Sequence, residues 1–148
     1  MQAIERLLAE RACERLQLRY AEAADAGDVD GFTGLFVANG SISVPEHAPF
    51  IGHDAIRSAM QALADTGRTM RHLIANPLID VTDSDHAVGT CRLLVYDSTA
   101  LPDRHGIRPM LSPGTIGDFH DRFVRTAGQW QFSARSLVRI FQQVAENE

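Results

Sequence analysis

The sequence predicts an α+β fold, because two kinds of periodicity follow one another along its 148 residues. Apolar residues recur at three- and four-residue steps in the first part of the chain, which is typical of amphipathic helices. From Thr69 onward, apolar and polar residues alternate in long runs, which indicates β-strands. Helices followed by long strands are typical of an α+β domain. The length suits one domain with its own core, so we assign residues 1–148 to a single unit.

The first helix is expected over residues 2–25. Its apolar stripe recurs at helical spacing while charged residues fill the other side, and the stripe comprises Ile4, Leu7, Leu8, Ala12, Leu16, Tyr20 and Ala23. Gly27 follows as the residue that ends the helix, since glycine readily adopts the left-handed conformation of a helix terminus.

Two shorter helices and one strand complete the first part. Asp28 can cap a short second helix, VDGFTGLF. Asn39 and Gly40 form a turn signal, and the segment SISV follows as a short strand. Gly52 opens a third helix, HDAIRSAMQALAD, which Gly67 stops.

Four long strands should form the sheet. Compact turns separate the first from the second and the third from the fourth, so these neighbours are expected to pair antiparallel. A curved antiparallel sheet around the first helix would enclose one cone-shaped pocket. The expected strands are Thr69 to Val81, Ala87 to Ser98, Thr115 to Arg125 and Gln129 to Phe141.

The 98–116 segment between the middle strands is rich in proline and glycine. Loops of this length in a compact domain are usually active-site lids or disordered excursions. Ile107, Met110 and Leu111 would suit a lid that covers an apolar ligand. A surface loop or a subunit contact is the alternative.

Composition excludes several classes of function. The net charge is −5 and there is no run of Lys and Arg, which argues against nucleic acid as a partner. No stretch of ~18 apolar residues exists to span a bilayer, and the charged start lacks the apolar core of a signal peptide, so we expect no membrane association and a cytoplasmic location. Cys13 and Cys91 lie far apart and outside any metal spacing, as expected of reduced core thiols. No metal motif, phosphate loop or nucleophile elbow is present, so no metal or other cofactor is expected.

Four polar residues in apolar surroundings are the candidate catalytic set: Tyr20, Asp25, His72 and Arg135. Each is costly to bury without a partner, so its position requires an explanation. Histidine has an ordinary pKa near about 6.5 and suits a general base at neutral pH, and a carboxylate can fix its tautomer. A phenol can donate a proton or a hydrogen bond, and a guanidinium can hold a substrate oxygen.

The order of these segments, with RYAEAADAGDVDGFTGLF, RHLIANPLI and GDFHDRF…GQWQFSAR, resembles the SnoaL-like branch of the NTF2-like, or cystatin-like, superfamily. The catalytic pattern resembles bile acid 7α-dehydratase and scytalone dehydratase. The bile acid type carries Tyr and Asp on its first helix, His on a middle strand and Arg on its last strand, which match Tyr20, Asp25, His72 and Arg135. A dehydrochlorinase of the superfamily shares the Asp and His but has Lys where this chain has Tyr20.

The resemblance implies a cofactor-free lyase, a dehydratase acting on a small apolar or cyclic organic substrate with a hydroxyl and a carbonyl group. His72 would be the base, Asp25 its orienting group, Tyr20 the acid or oxyanion donor, and Arg135 the substrate anchor. A homodimer or homotrimer through the open sheet face is also implied, with Leu93, Val95 and Phe123 as candidate exposed contacts. Further substrate-binding candidates are Asn76 on the strand face of His72, Tyr96 at the pocket mouth, and His120, for which the outer face is slightly favoured.

Other interpretations stay open at this point. The enzyme could be an isomerase or cyclase that moves a proton without losing water, or the chain could be a non-catalytic binding or assembly subunit. Arg135 could form a structural salt bridge with Asp118 or Asp121. In an ideal helix, positions five apart point about 140° away from each other, so Tyr20 and Asp25 converge only if the last turn loosens. Strand alternation likewise requires a bulge unless His72 and Arg135 share the concave side.

Overall fold

The computed structural model describes residues 1–110 and 113–142, and the fold is α+β, which confirms the predicted class. The described residues form three helices and a six-stranded sheet. The helices are α1 (Ala3–Ala26), α2 (Val29–Thr33) and α3 (His53–Ala64), and the strands are β1 (Phe36–Ser43), β2 (Phe50–Ile51), β3 (Thr69–Val81), β4 (His86–Ser98), β5 (Thr115–Thr126) and β6 (Gln129–Gln142).

The sheet has the strand order β2-β1-β6-β5-β4-β3, so β3 is a free edge. All neighbouring strands pair antiparallel except β1 and β6, which are parallel. Helix α1 packs against one side of this sheet, and we call that side the inner face. The inner face carries the buried side chains of the core, whereas the outer face has no described helix packed on it.

Aromatic rings fill the centre of the core. The Tyr20 ring lies 4.7 Å from that of Phe32 and 5.4 Å from that of Phe119, measured between centroids. Phe132 stacks between Phe36 and Phe123, with both centroid distances at 5.1 Å. Rings at these separations add to the stability gained by apolar burial.

The expected exposure of three apolar strand residues is wrong. Leu93 and Phe123 are buried in the core, and Val95 is half-buried against it. Alternation puts all three on the inner face, because Leu93 and Val95 follow Cys91 at two-residue steps on β4.

The turn predicted at Asn39 and Gly40 is also wrong. Both residues lie within β1, at an irregular stretch of its pairing with β6. A Cβ atom on Gly40 would come within 2.9 Å of the Val37 carbonyl oxygen and 3.2 Å of the Phe132 carbonyl oxygen. Glycine is therefore needed here for close approach of two backbones and not for a reversal of the chain.

Two β-bulges, one in β6 and one in β3, set the direction of side chains that matter for function. In β6, the pairing moves from Phe132 to Ala134 while β5 advances by one residue, so Ser133 is the extra residue. Phe132 and Arg135 consequently face the same way although they are three residues apart. This is the bulge that the sequence required if Arg135 was to lie on the inner face.

The loop after β4 has local order of its own. The Asp103 carboxylate accepts hydrogen bonds from the backbone N–H groups of His105 and Ile107, which closes a compact turn. The Ile107 and Met110 side chains are exposed, and Leu111 lies outside the described residues. The function of this segment as a lid stays a prediction.

None of the helices in the described part of the chain combines the length and hydropathy that a bilayer crossing demands.

Candidate functional site

Asp25 and His72 form the centre of the candidate site. The Asp25 Oδ1 atom lies 2.6 Å from Nδ1 of the His72 ring. The same carboxylate accepts the backbone N–H of His72, with Oδ2 at 2.9 Å. The side chains keep 11% (His72) and 14% (Asp25) of their surface exposed, so the pair is recessed but not sealed from solvent.

The hydrogen bond to Asp25 determines which nitrogen of His72 acts as a base. An ionised carboxylate has no proton to donate, so Nδ1 must carry the shared hydrogen. The neutral ring then presents its lone pair at Nε2, which makes no hydrogen bond with any described residue. The arrangement suits proton abstraction at Nε2 with stabilisation of the resulting imidazolium by Asp25.

The position of β3 at the sheet edge explains how a helix can reach His72. An edge strand has backbone N–H groups without a strand partner, and Asp25 satisfies one of them from α1. Helix α1 ends directly afterwards at Gly27, which adopts φ 66°. One carboxylate thus anchors the helix end to the strand and orients the imidazole.

The expected loosening of the last helical turn does not occur. Helix α1 continues through Ala26, and Tyr20 and Asp25 project from different sides of it. They both reach His72, because Asp25 bonds its Nδ1 while the Tyr20 ring meets the imidazole edge-on at a centroid distance of 6.4 Å. Convergence on a third side chain does not require the two residues to face each other.

Tyr20 is almost completely buried, and its hydroxyl makes no hydrogen bond within the described part of the chain. Burial raises the pKa of the Tyr20 phenol, the Arg135 guanidinium opposes this, and the Asp121 carboxylate adds to it. The raised pKa keeps the phenol protonated, so Tyr20 can donate a hydrogen bond or a proton at neutral pH.

Arg135 lies beneath this site and not at its surface. Its side chain is fully buried, and its Nε atom is 3.1 Å from Oδ1 of Asp121, which is equally buried. The Arg135 Cζ atom is 4.2 Å from the Tyr20 ring centroid and 3.6 Å from that of Phe119. The expected role as a direct substrate anchor therefore needs correction, because no face of the guanidinium is open to solvent.

The sequence offered Asp118 and Asp121 as partners of Arg135, and Asp121, which points inward, is the one that pairs with it. Asp121 faces Arg135 directly across β5 and β6, whereas Asp118 pairs with Arg92 at 2.8 Å on the outer face. Burial raises the pKa of the Asp121 carboxyl, against the opposing effects of Arg135 and a hydrogen bond from Gln17. The salt bridge that the sequence left open is thus part of the core.

Gln17 is a polar core residue that sequence reasoning missed. Its Nε2 atom donates to Asp121 Oδ2 at 2.9 Å, and the residue is fully buried. The available signal was its position on α1, three residues before Tyr20 and next to Leu16 on the apolar stripe. A glutamine at such a position needs a buried partner.

The three further substrate-binding candidates lie away from His72. Asn76 is exposed at the second bulge, in β3, where it adopts φ 51°. Tyr96 pairs with Arg71, the neighbour of His72, so it lies on the outer face and lines a separate cavity of about 320 Å³ with Arg108. His120 is exposed on the outer face, opposite Thr90. Simple alternation failed for Asn76 because the bulge changes the strand's phase.

Among residues 1–110 and 113–142, no three His, Cys, Asp or Glu side chains converge to hold a metal ion.

Solved structures share this architecture. A provisionally assigned scytalone dehydratase from Novosphingobium aromaticivorans has a TM-score of 0.80 at 23% identity, covering 95% of this chain and 89% of its own. An NTF2-like protein with a cystatin-like fold from the same organism has a TM-score of 0.75 at 24% identity, with 91% and 84% covered. LinA has a TM-score of 0.80 at 15% identity, with 99% and 97% covered. At these identities the likeness shows the fold.

The family is shown by the sequence itself. No curated protein matches the chain at a significant level. The SnoaL-like domain family matches residues 5–136, which include Tyr20, Asp25, His72 and Arg135. The chain therefore belongs to the SnoaL-like family, with an NTF2-like, cystatin-like fold.

Proposed function

We propose that the protein is a cofactor-free lyase that eliminates water from a cyclic or polycyclic hydroxy-carbonyl compound. One observation carries the proposal: the Asp25 carboxylate lies 2.6 Å from Nδ1 of His72 and leaves Nε2 as the available base. A recessed His–Asp pair next to a buried phenol is the equipment for removing a proton and protonating a leaving group.

The proposed reaction gives each of these groups one step. His72 Nε2 takes the proton from the carbon next to the substrate carbonyl, and the C–H electron pair forms the new C=C bond. The C–O bond to the hydroxyl breaks, and the Tyr20 phenol supplies the proton with which the oxygen leaves as water. Solvent then carries the proton from His72 back to Tyr20, so the enzyme returns to its starting state.

Arg135 supports this reaction from below. Its guanidinium contacts the Tyr20 ring, where its positive charge favours a phenol that gives up its proton. This role replaces the direct contact with substrate that the sequence predicted, and the apolar rings around Tyr20 suit a substrate with an apolar or cyclic body.

The test is a panel of cyclic hydroxy-ketones and hydroxy-acyl thioesters incubated with enzyme in deuterated water. Mass spectrometry of the products detects loss of water, and deuterium uptake next to the carbonyl detects proton abstraction. We expect water loss that disappears in His72→Ala. The matched control is His86→Ala, because His86 also contacts a carboxylate, Asp83 at 3.0 Å, but on an exposed turn.

The panel separates the alternatives. Products that keep all the atoms of the substrate, apart from hydrogen exchanged for deuterium, and in which a double bond has moved or a ring has closed would show an isomerase or cyclase. Compounds that bind without deuterium uptake or product would show a binding subunit. Equal rates for wild type and His72→Ala would contradict the assigned base.

We also propose that copies of the chain form a homodimer or homotrimer through the outer face of the sheet. Apolar side chains remain exposed on that face in place of those expected from the sequence, namely Leu73, Leu78, Val88, Val138 and Phe141. Light scattering should give a mass of two or three chains, and Leu78→Lys should lower it. A wild-type monomer at micromolar concentration would contradict this.

A further inference from the structure

A buried polar network underlies the candidate site, and Arg135 is the one member of it to which the proposed reaction gives a part. It links α1, β5 and β6 through Gln17, Asp121 and Arg135. Gln17 Nε2 donates to one oxygen of Asp121 at 2.9 Å, and the other oxygen lies 3.1 Å from Arg135 Nε. The Arg135 Nη2 group donates to the Cys91 sulfur at 3.3 Å.

The network forms a closed ring with Tyr20. Gln17 and Tyr20 are three residues apart on α1, so they project from the same side of the helix. Gln17 holds Asp121, Asp121 holds Arg135, and Arg135 lies 4.2 Å below the Tyr20 ring centroid. Because these residues are all buried, their side chains cannot exchange their contacts for hydrogen bonds with water.

The hydrogen bonding of this network is incomplete. The Arg135 Nε–H is close to Asp121 but not aimed at its oxygen, so the contact is an ion pair without a well-aligned hydrogen bond. Arg135 Nη1 and Gln17 Oε1 also lack partners among the described residues, although they are fully buried. Unpaired buried polar atoms cost stability, so a network retained in this state needs a further reason.

We propose that Asp121 is a positioning residue, which with Gln17 holds the Arg135 guanidinium against the Tyr20 ring and so governs the proton of the Tyr20 hydroxyl. This inference rests on the role of Tyr20 in the proposed function. Asp121 touches neither substrate nor reacting atoms and acts through Arg135.

Titratable or charged groups lie around Tyr20 on several elements, namely Arg135 on β6, Asp121 on β5, Cys91 on β4 and His72 on β3. Asp25 lies on another side of α1 and bonds to His72. Burial is the largest influence and raises the pKa of Tyr20, Arg135 lowers it, and Asp121 and Cys91 raise it. Helix α2 contributes the uncharged Phe32 ring. Asparagine at position 121 keeps a side chain of the same shape beside Arg135 but removes the negative charge, so Asp121→Asn should lower the pKa of Tyr20.

The experiment uses the fact that the chain has two tyrosines, Tyr20 and Tyr96. In a Tyr96→Phe background, a ring-fluorinated tyrosine supplied during expression is carried at Tyr20 alone, and fluorine NMR follows its ionisation. Asp121→Asn should lower the midpoint of the Tyr20 titration by at least ~0.5 pH unit. A direct contact with a charge would shift it by about 1–3 units, so a smaller effect is expected here. Asp118→Asn, which removes a carboxylate paired with Arg92 on the outer face, is the matched control and should leave the midpoint unchanged.

A second variant covers the case in which Asp121→Asn does not fold. Asp121→Leu combined with Arg135→Met removes both charges, and such apolar replacements of buried ion pairs are often well tolerated. Here the midpoint should rise above that of wild type, because the effect of Arg135 on Tyr20 is larger than that of Asp121.

Shifts in these two opposite directions support the proposal. A folded Asp121→Asn with an unchanged or higher midpoint overturns it, and so does a double variant with an unchanged or lower one. The titration needs no substrate, so its failure is distinct from a failure of the proposed lyase reaction, which the product masses judge.

Discussion

Two of the pairs between a carboxylate and a nitrogen-bearing side chain, Asp25 with His72 and Asp121 with Arg135, adjoin Tyr20 but differ in access to solvent. Asp25 and His72 sit at the sheet edge and keep 14% and 11% of their side-chain surface exposed. Asp121 and Arg135 lie in the middle of the sheet, and both side chains have an exposure of 0%. Tyr20 touches both pairs, through the His72 ring and the Arg135 guanidinium.

The difference in access to solvent indicates different roles for the two pairs. A base that works on a substrate must meet it, and only the His72 pair retains open surface. A buried ion pair instead places a fixed charge in a medium of low dielectric constant, where it acts strongly on its neighbours. We infer that the Asp25–His72 pair takes the substrate proton, and that the Asp121–Arg135 pair sets how tightly Tyr20 holds the proton of its hydroxyl.

The largest expected effect is on stability, at the buried pair. Asp121→Ala should lower the free energy of unfolding by about 3–5 kcal/mol, because it leaves Arg135 as an uncompensated buried charge. Asp118→Ala removes a carboxylate from a half-exposed pair and should cost at most about 1 kcal/mol. Urea denaturation measures both, and equal losses would show that the two pairs do not differ as described.

The next largest effect is on turnover, at the open pair. Asp25→Asn and His72→Ala should each reduce turnover at least ~100-fold, which corresponds to about 2.7 kcal/mol of transition-state stabilisation. Both variants should stay folded by circular dichroism at the assay temperature. Wild-type turnover in either variant would mean that this pair is structural too.

A smaller effect is expected at the residue shared by the pairs. Tyr20→Phe should reduce turnover about tenfold or more, the contribution of one hydrogen-bond donor to a developing charge. Because burial raises the pKa of Tyr20 above its ordinary 10.0, the wild-type rate should stay level well into the alkaline range and fall only where the phenol ionises. The variant should lack that decline, and a decline at the same pH in both proteins would assign it to another group.

The smallest expected effect concerns the two thiols beside the buried pair. Burial raises the pKa of Cys91 to about 11 and that of Cys13 to about 12, from an ordinary value of 9.0. The two protonated thiols therefore stabilise the fold fully below pH 9.0. This contribution is lost as the pH rises through about 11 for Cys91 and about 12 for Cys13. A thiol-reactive disulfide reagent should therefore label neither cysteine in the folded protein at pH 8, whereas rapid labelling would show an open core.

The fold was predictable because its signals are local. The four long strands follow from period-two alternation, and the ends of β3 agree with those predicted, Thr69 and Val81. The helix stop at Gly27 follows from the left-handed conformation that glycine tolerates. The resemblance to a known family then predicted that the N-terminal helices pack in a curved antiparallel sheet, whereas the parallel pairing of β1 with β6 was not predicted.

Details of the site were harder to predict because they depend on phase and depth. One extra residue in β3 turned Asn76 out of the face that alternation assigned to it, and the bulge at Ser133 brought Arg135 inward. The sequence predicted Tyr96 at the pocket mouth, but Tyr96 pairs with Arg71 across the two strands and therefore lies on the outer face. The depth of Arg135 depends on packing against Phe119 and Asp121 from another strand, which single-strand patterns do not contain.

The central claim is that Asp25 holds His72 with its proton on Nδ1 and its lone pair on Nε2. Nitrogen NMR of the histidine rings, with His72 identified by its absence in His72→Ala, reads this tautomer directly and needs no substrate. For the neutral ring the structure predicts the Nδ1–H form, and Asp25→Asn should shift His72 toward the tautomer mixture of a free histidine. A wild-type His72 protonated on Nε2, or a spectrum unchanged by Asp25→Asn, would contradict the account.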